Sequence, residues 1–214
     1  VPELPEVEYT RRRLQRAMAR SRINRVVIRQ RKLRYALPEG FARRLEGQTV
    51  RIVRRRAKYL IVSLSSGDRL LMHLGMSGSF RIVHGARKDA STRRYYHDTS
   101  RLETHDHVIF EMSSGASVVF NDPRRFGFMV LLTPQEYTSH AALGRLGPEP
   151  LALTFDAASL AARLAGRRTS LKMALSDQRV VSGLGNIYVV EALHRARLSP
   201  TRRAAALVAA NGAP

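Results

Sequence analysis

The sequence predicts an α+β protein in which a β-rich domain that opens on a helix is followed by a helical domain. Three observations predict it. Between Arg22 and Leu132 the chain is a series of segments rich in Val, Ile and Phe, separated by Gly/Ser turns such as Ser113-Ser114-Gly115. After Leu151 the apolar spacing changes to that of helices. The first eight residues, VPELPEVE, combine two prolines with three carboxylates at the start of a very basic chain.

The elements follow in order. Pro5 suits the first turn of a helix, where its missing N–H costs nothing, and Glu6 and Glu8 suit the positive end of the helix dipole. That helix is expected to run to about Arg20, with Val7, Leu14 and Met18 on one face. The β segments are RINRVVIRQ, TVRIVRRRAKYLIVSL, DRLLMHLGMSGSFRIV and DHVIFEMSSGASVVFND, then FGFMVLL. The polar, basic stretch from Val83 to Thr104 has no periodicity and is expected to be a loop. LGPEPL, Leu146 to Leu151, is expected to be a linker, which divides the chain into domains at 1–147 and 148–214. Helical patterns follow in FDAASLAARLAG, SLKMALSDQ and NIYVVEALHRARL.

Composition bounds the function. A chain of 214 residues with 44% hydrophobic residues can bury a real core as one large domain or two small ones. No apolar run is long enough to span a bilayer, and no segment has the form of a secretory leader, so a cytoplasmic protein is expected. The absence of cysteine excludes disulfides and cysteine-ligated zinc in these residues. Lys and Arg number 37 against 17 Asp and Glu, a net charge of +20. Charge of that size concerns partners more than fold; nucleic acid leads and an anionic membrane surface comes second. The basic residues are spread along most of the chain, which favours a folded binder over a basic arm.

Several stretches carry candidate chemistry. RRRAKYL holds Lys58 in a β-patterned segment, HLGMSGSF sets Met76 between two glycines, and NDPRRFGF holds Arg124 and Phe126 in a turn bounded by Pro and Gly. A lysine in a basic strand is ordinarily solvated, and Met or Phe in a turn ordinarily folds back onto the core. Taken together they form a set suited to duplex DNA, with apolar wedges and an arginine able to replace an extruded base. In VSGLGNIYVVEAL, Gly183 and Gly185 allow close backbone approach and Asn186 is expected to cap the next helix, leaving N–H groups for a phosphate. The turn does not follow a strand and lacks the full dinucleotide fingerprint. His105-Asp106-His107 can be read as a metal pair, but phosphate contacts or ordinary strand positions fit better without a third ligand nearby.

PELPEVE, RRAKYL, HLGMSGS, HDH, DPRRFG, LGPEPL and GLGNIYVVEAL, in this order, resemble the formamidopyrimidine-DNA glycosylase family. The resemblance runs from about Pro2 to Arg202. It implies an N-terminal β-sandwich, then a helix-two-turns-helix domain, ordinarily followed by a four-cysteine zinc finger. It also implies excision of oxidised purines such as 8-oxoguanine and formamidopyrimidines from double-stranded DNA, with cutting of the strand at the abasic site. The related endonuclease VIII type prefers oxidised pyrimidines; the LPEVE wording is closer to the purine-specific branch. A monomer is expected.

The resemblance also implies roles. The nucleophile would be the secondary amine of Pro2. An α-amine titrates near ~8 and a lysine near ~10.4, so more of the former is free base at neutral pH. Its attack on the sugar gives an iminium, an electron sink for elimination. Glu3 would be the acid/base partner, Glu6 a supporting group and Lys58 the proton donor in elimination. His105, Arg124, Arg168 and Asn186 would grip phosphates, and Met76, Arg124 and Phe126 would fill the void left by the flipped nucleotide. Two departures stand out. Val1 precedes Pro2, and an amide nitrogen cannot form a Schiff base, so Val1 is expected to be a GTG start read as Met and removed. The sequence stops at RRAAALVAANGAP, before any zinc finger, so no metal or other cofactor is expected in this chain. The alternative is a truncated, catalytically impaired protein that still binds damaged DNA.

Overall fold

The computed structural model describes residues 2–84, 87, 88 and 103–208. Val1 and most of the polar stretch expected to be a loop between Val83 and Thr104 lie outside the described residues. The chain forms two compact units: Val1–Arg55 with Tyr59–Thr138, and Arg56–Lys58 with Ser139–Pro214.

The first unit opens on α1 (Leu4–Met18), with Pro5 in its first turn. Val7, Leu14 and Met18 are buried, as their spacing predicts. The helix stops short of Arg20, because Ala19 is extended and Arg20 takes a left-handed φ of 62°. The strands are β1 (Ile23–Ile28), β2 (Val50–Arg56), β3 (Tyr59–Leu64), β4 (Arg69–His73), β5 (Ser79–His84), β6 (Arg87–Lys88), β7 (Asp106–Met112), β8 (Ala116–Asn121) and β9 (Phe128–Leu132). Among the described residues they form two sheets, ordered β1-β7-β8-β5-β6 and β2-β3-β4-β9. Pairing is antiparallel, with Ile82 opposite Val118 in one sheet and Leu71 opposite Val130 in the other. α1 packs on β3 from one sheet and on β5 and β8 from the other. One core therefore joins Leu14 and Met18 to Val62, Leu70 and Met72 on one side and to Phe110, Val118 and Phe120 on the other. This is a β-sandwich held by a helix. Two short helices, α2 (Phe41–Leu45) and α3 (Pro134–Thr138), have no strong period in the sequence.

The second unit is helical: α4 (Ala141–Gly144), α5 (Ala157–Leu164), α6 (Leu171–Ser176) and α7 (Asn186–Arg195). Asp156 caps α5 by accepting from the Ser159 N–H at 2.8 Å, and Ser170 caps α6 by accepting from the Met173 N–H at 3.3 Å. Leu164, Leu171, Ala174, Val180, Val181, Val189 and Leu193 form its core.

Two expectations change here. LGPEPL is not a linker. The Gly147 N–H donates to Gln178 O at 2.8 Å, Pro148 O accepts from the Ser182 N–H at 2.9 Å, and a side chain at Gly147 would lie 2.5 Å from Arg179 O. These bonds build the segment into the helical unit, so the compact division falls between Thr138 and Ser139 instead of at 147/148. The N-cap of α7 is Gly185, in extended backbone, while Asn186 is the first helical residue.

Candidate functional site

Two groups of expected site residues lie in the first unit. The first is at the start of α1. Pro2 is buried and Glu3 is 2% exposed. The Glu6 carboxylate turns back to accept from the Glu3 N–H at 2.9 Å, the return half of a capping box. Local helix chemistry thus fixes the Pro2–Glu3 step, and Glu6 supports it.

The second group surrounds Asp122. The turn before β5 presents Met76, 39% exposed, and the turn before β9 presents Phe126, 43% exposed. The Arg124 guanidinium lies over the Phe126 ring, 4.8 Å from its centroid. Gly75 has φ 63°, and a Cβ there would lie 2.4 Å from Gly127 N and from the carbonyl carbon of Phe126. The two turns therefore meet backbone to backbone. His105 ends a 3-10 turn (Glu103–His105), and its carbonyl accepts from the Asp122 N–H at 3.1 Å. His107 is buried, and its Nε2–H donates to Asp122 O at 2.8 Å, so this histidine is a strand residue serving the turn. Asp106 is 3% exposed and accepts from Arg81 at 2.6 Å and from Asn121 at 2.8 Å. Among the described residues no three His, Cys, Asp or Glu side chains form a group that could hold a metal.

Lys58, Arg168 and Asn186 belong to the second unit. Lys58 sits in the two-residue turn between β2 and β3 instead of in a strand, because Ala57 takes a left-handed φ of 51°. The turn is held firmly. Glu149 accepts from the Ala57 N–H at 2.6 Å and from Arg56 at 3.2 Å. Arg56 also donates to Ser182 Oγ at 2.9 Å, Leu146 O at 3.1 Å and Gly147 O at 2.7 Å. Arg168 is exposed just before α6, and Asn186 is exposed at the first position of α7. The glycine turn before α7 is stitched by Gln178, which accepts from the Gly183 N–H at 2.8 Å and donates to Leu184 O at 2.7 Å.

The structure thus brings Met76, His105, Arg124 and Phe126 together around Asp122, and sets Pro2, Glu3 and Glu6 at one helix start. Sequence reasoning missed Asp122, Ser77, Arg56 and Glu149. The first two stand inside motifs chosen for their neighbours; the last two are joined by bonds remote in sequence.

A family model for the formamidopyrimidine-DNA glycosylase N-terminal domain matches residues 1–129, and one for the H2TH domain of the same enzymes matches residues 146–212. The fold and these groups define the class: a β-sandwich unit joined to a helix-two-turns-helix unit, the architecture of DNA glycosylases of base excision repair. The formamidopyrimidine-DNA glycosylase of Rhodopseudomonas palustris strain HaA2 is 58% identical over 214 residues, which is 100% of this chain and 73% of that protein. The Azorhizobium caulinodans formamidopyrimidine-DNA glycosylase is 54% identical over the same shares. Lactococcus lactis Fpg, solved in complex with DNA containing an abasic site, superimposes with a TM-score of 0.81 at 27% identity, covering 99% of this chain and 73% of that one. The same protein solved with N7-benzyl-Fapy-dG DNA gives a TM-score of 0.81 at 28% identity. The chain belongs to the formamidopyrimidine-DNA glycosylase family. No helix among the described residues is long and apolar enough to cross a membrane.

Proposed function

We propose that this chain is a bifunctional glycosylase and abasic-site lyase that acts as a monomer on oxidised purines in double-stranded DNA. The observation that carries the reading is the Pro2–Glu3 step, buried and fixed at the start of α1 by Glu6. A secondary amine at the chain terminus attacks the sugar C1′, the base leaves, and the C1′–N bond becomes an iminium. Glu3, beside it in sequence, handles the proton at the sugar. Loss of a proton from the neighbouring carbon then expels the phosphate, and Lys58 donates a proton in that elimination. This chemistry requires Pro2 to be the mature N-terminus.

His105, Arg124, Arg168 and Asn186 are assigned to phosphates. Met76, Arg124 and Phe126 are assigned to the void left by the extruded nucleotide; their shared platform and partial exposure suit that task. The family's four-cysteine zinc site does not fit these residues, because the sequence has no cysteine. No step here passes through a metal or other cofactor.

The test is borohydride trapping on abasic-site DNA. With Pro2 at the terminus a covalent complex forms, and Pro2→Gly weakens it. Strong trapping by protein shown by mass to retain Val1 would reject Pro2 and point to a lysine such as Lys58.

A further inference from the structure

Asp122 is fully buried, yet the four residues that follow it, Pro123 to Phe126, are exposed. Its carboxylate spans two loops. One oxygen accepts from Ser77 Oγ, next to Met76, and the other accepts from the Gly127 N–H at 2.7 Å, next to Phe126. Ser77 Oγ in turn accepts from the Arg124 N–H at 3.2 Å. The backbone of Asp122 accepts from Arg125 N–H at 3.2 Å and His107 Nε2 at 2.8 Å, and donates to His105 O at 3.1 Å. One side chain and its own peptide groups therefore bond beside each of the groups assigned to void filling, and beside His105. Arg125 carries a left-handed φ of 55°, so this turn is not one that the chain adopts without restraint.

We propose that Asp122 and Ser77 are positioning residues that couple the Met76 turn to the Arg124–Phe126 turn, so that the wedge enters DNA as one preformed body. The inference rests on the void-filling role given above. A buried carboxylate that only completed a turn would need the Gly127 bond alone. The Ser77 bridge adds a link across two separate loops, and Gly75 lets their backbones touch. Binding energy is then not used to assemble the wedge while a base is being unstacked.

The experiment uses the full chain with Pro2 at its terminus, and compares Ser77→Ala, Ser77→Thr and Asp122→Asn with the parent. Ser77→Ala removes the Asp122 bridge and the acceptor of the exposed Arg124 N–H but leaves the Gly127 bond, so it is expected to fold. Three readouts are taken: single-turnover excision of an oxidised purine, borohydride trapping on abasic DNA, and fluorescence of an adenine analogue placed opposite an abasic site. Ser77→Ala should lower excision about ten- to thirtyfold, the weight of the two hydrogen bonds lost with the hydroxyl, and weaken the fluorescence change. Trapping should fall much less, because an abasic site has no base to extrude. Ser77→Thr, which keeps the hydroxyl, should restore excision; Asp122→Asn should resemble or exceed Ser77→Ala. Equal falls in excision and trapping, or no fall in excision, would overturn the coupling. If the parent fails to trap but its fluorescence change depends on Ser77, the nucleophile assignment falls and the coupling stands. If the parent gives no fluorescence change, the void-filling role and the coupling fall together.

Discussion

Replacing Arg56 with alanine tests whether the Lys58 turn owes its form to the helical unit. The Arg56 side chain is two-thirds covered, at 32% exposure, and makes four hydrogen bonds, to Glu149, Ser182 Oγ, Leu146 O and Gly147 O. A hydrogen bond to a charged group contributes about 1.5–3 kcal/mol, but the four share one guanidinium and water can reach some of the acceptors. Arg56→Ala should therefore cost about 2–4 kcal/mol in the helical unit, near the range for breaking a buried pair. Part of that cost is the lost attraction between the Arg56 guanidinium and the Glu149 carboxylate, 3.2 Å apart. Arg56→Lys should recover less than half, because one ammonium cannot reproduce a planar fork. Glu149→Gln should cost about 1 kcal/mol, since an amide oxygen can still accept from Ala57. The assay is hydrogen exchange resolved by segment, combined with denaturant unfolding followed by helical signal. Faster exchange should appear in α6, α7 and the Ala57–Lys58 turn. Unchanged exchange in these segments, with an unchanged midpoint for Arg56→Ala, would refute the claim that Arg56 holds the turn.

Two further perturbations have signs fixed by the structure. Gly75→Ala places a Cβ 2.4 Å from the neighbouring turn and puts an alanine at φ 63°, so it should cost more than about 2 kcal/mol and expose the Asp122 turn to proteolysis. Acid should weaken the first unit through Glu8. Burial pushes its carboxyl up, but hydrogen bonds from Arg11, Arg12 and Arg55 and the Arg11 charge outweigh that and hold it at about 2, against 4.5 unfolded. The native state thus binds its proton later than the unfolded chain does. The stabilisation is complete above pH 4.5 and is lost as pH falls toward 2, amounting to about 1 kcal/mol after solvent screening. A Glu8→Gln chain should show a shallower loss of stability in that window, measured by denaturant unfolding at stepped pH.

What could be read in the sequence was what repeats or is local. The apolar face of α1 and the strands rich in Val, Ile and Phe each follow from neighbours within a few residues. What could not be read was set by contacts far along the chain. LGPEPL looks like a proline-rich joint until Gln178 and Ser182 supply its hydrogen bonds. Lys58 looks like a strand residue because the turn holding it contains no Gly, Asn or Pro; Ala57 is kept in the left-handed region by Glu149, remote in sequence. At the candidate site, the residues that the resemblance assigns stand in short local motifs, whereas Asp122 and Ser77 bond to partners that only the fold supplies.

The net charge of +20 hides a division of labour among the arginines. Several are bound to carboxylates: Arg11, Arg12 and Arg55 to Glu8, Arg44 to Asp68, Arg81 to Asp106, Arg56 to Glu149, and Arg167 and Arg179 to Asp177. Most of these anions join groups distant in sequence, so the acidic minority fixes basic side chains in the fold. Arg124 and Arg168 are exposed, and Arg124 lies on Phe126. If DNA is held by roughly 4–7 phosphate contacts, log affinity should fall with log salt at a slope of about −4 to −6. Arg124→Ala and Arg168→Ala should each make that slope shallower by about 1, with little change in stability. Arg81→Ala should do the reverse. Asp106 is 3% exposed, and losing its 2.6 Å partner leaves the buried carboxylate with the Asn121 bond and only the half-exposed Arg29 guanidinium at 3.9 Å, a cost of about 2 kcal/mol in folding. The salt slope of the surviving folded protein should stay near that of the parent. Titrations of duplex DNA at stepped salt, paired with unfolding curves, separate the two kinds of arginine. An Arg81→Ala protein that folds as stably as the parent but loses a full unit of slope would show that Arg81 serves DNA and not the sandwich, and the division drawn from these ion pairs would fail.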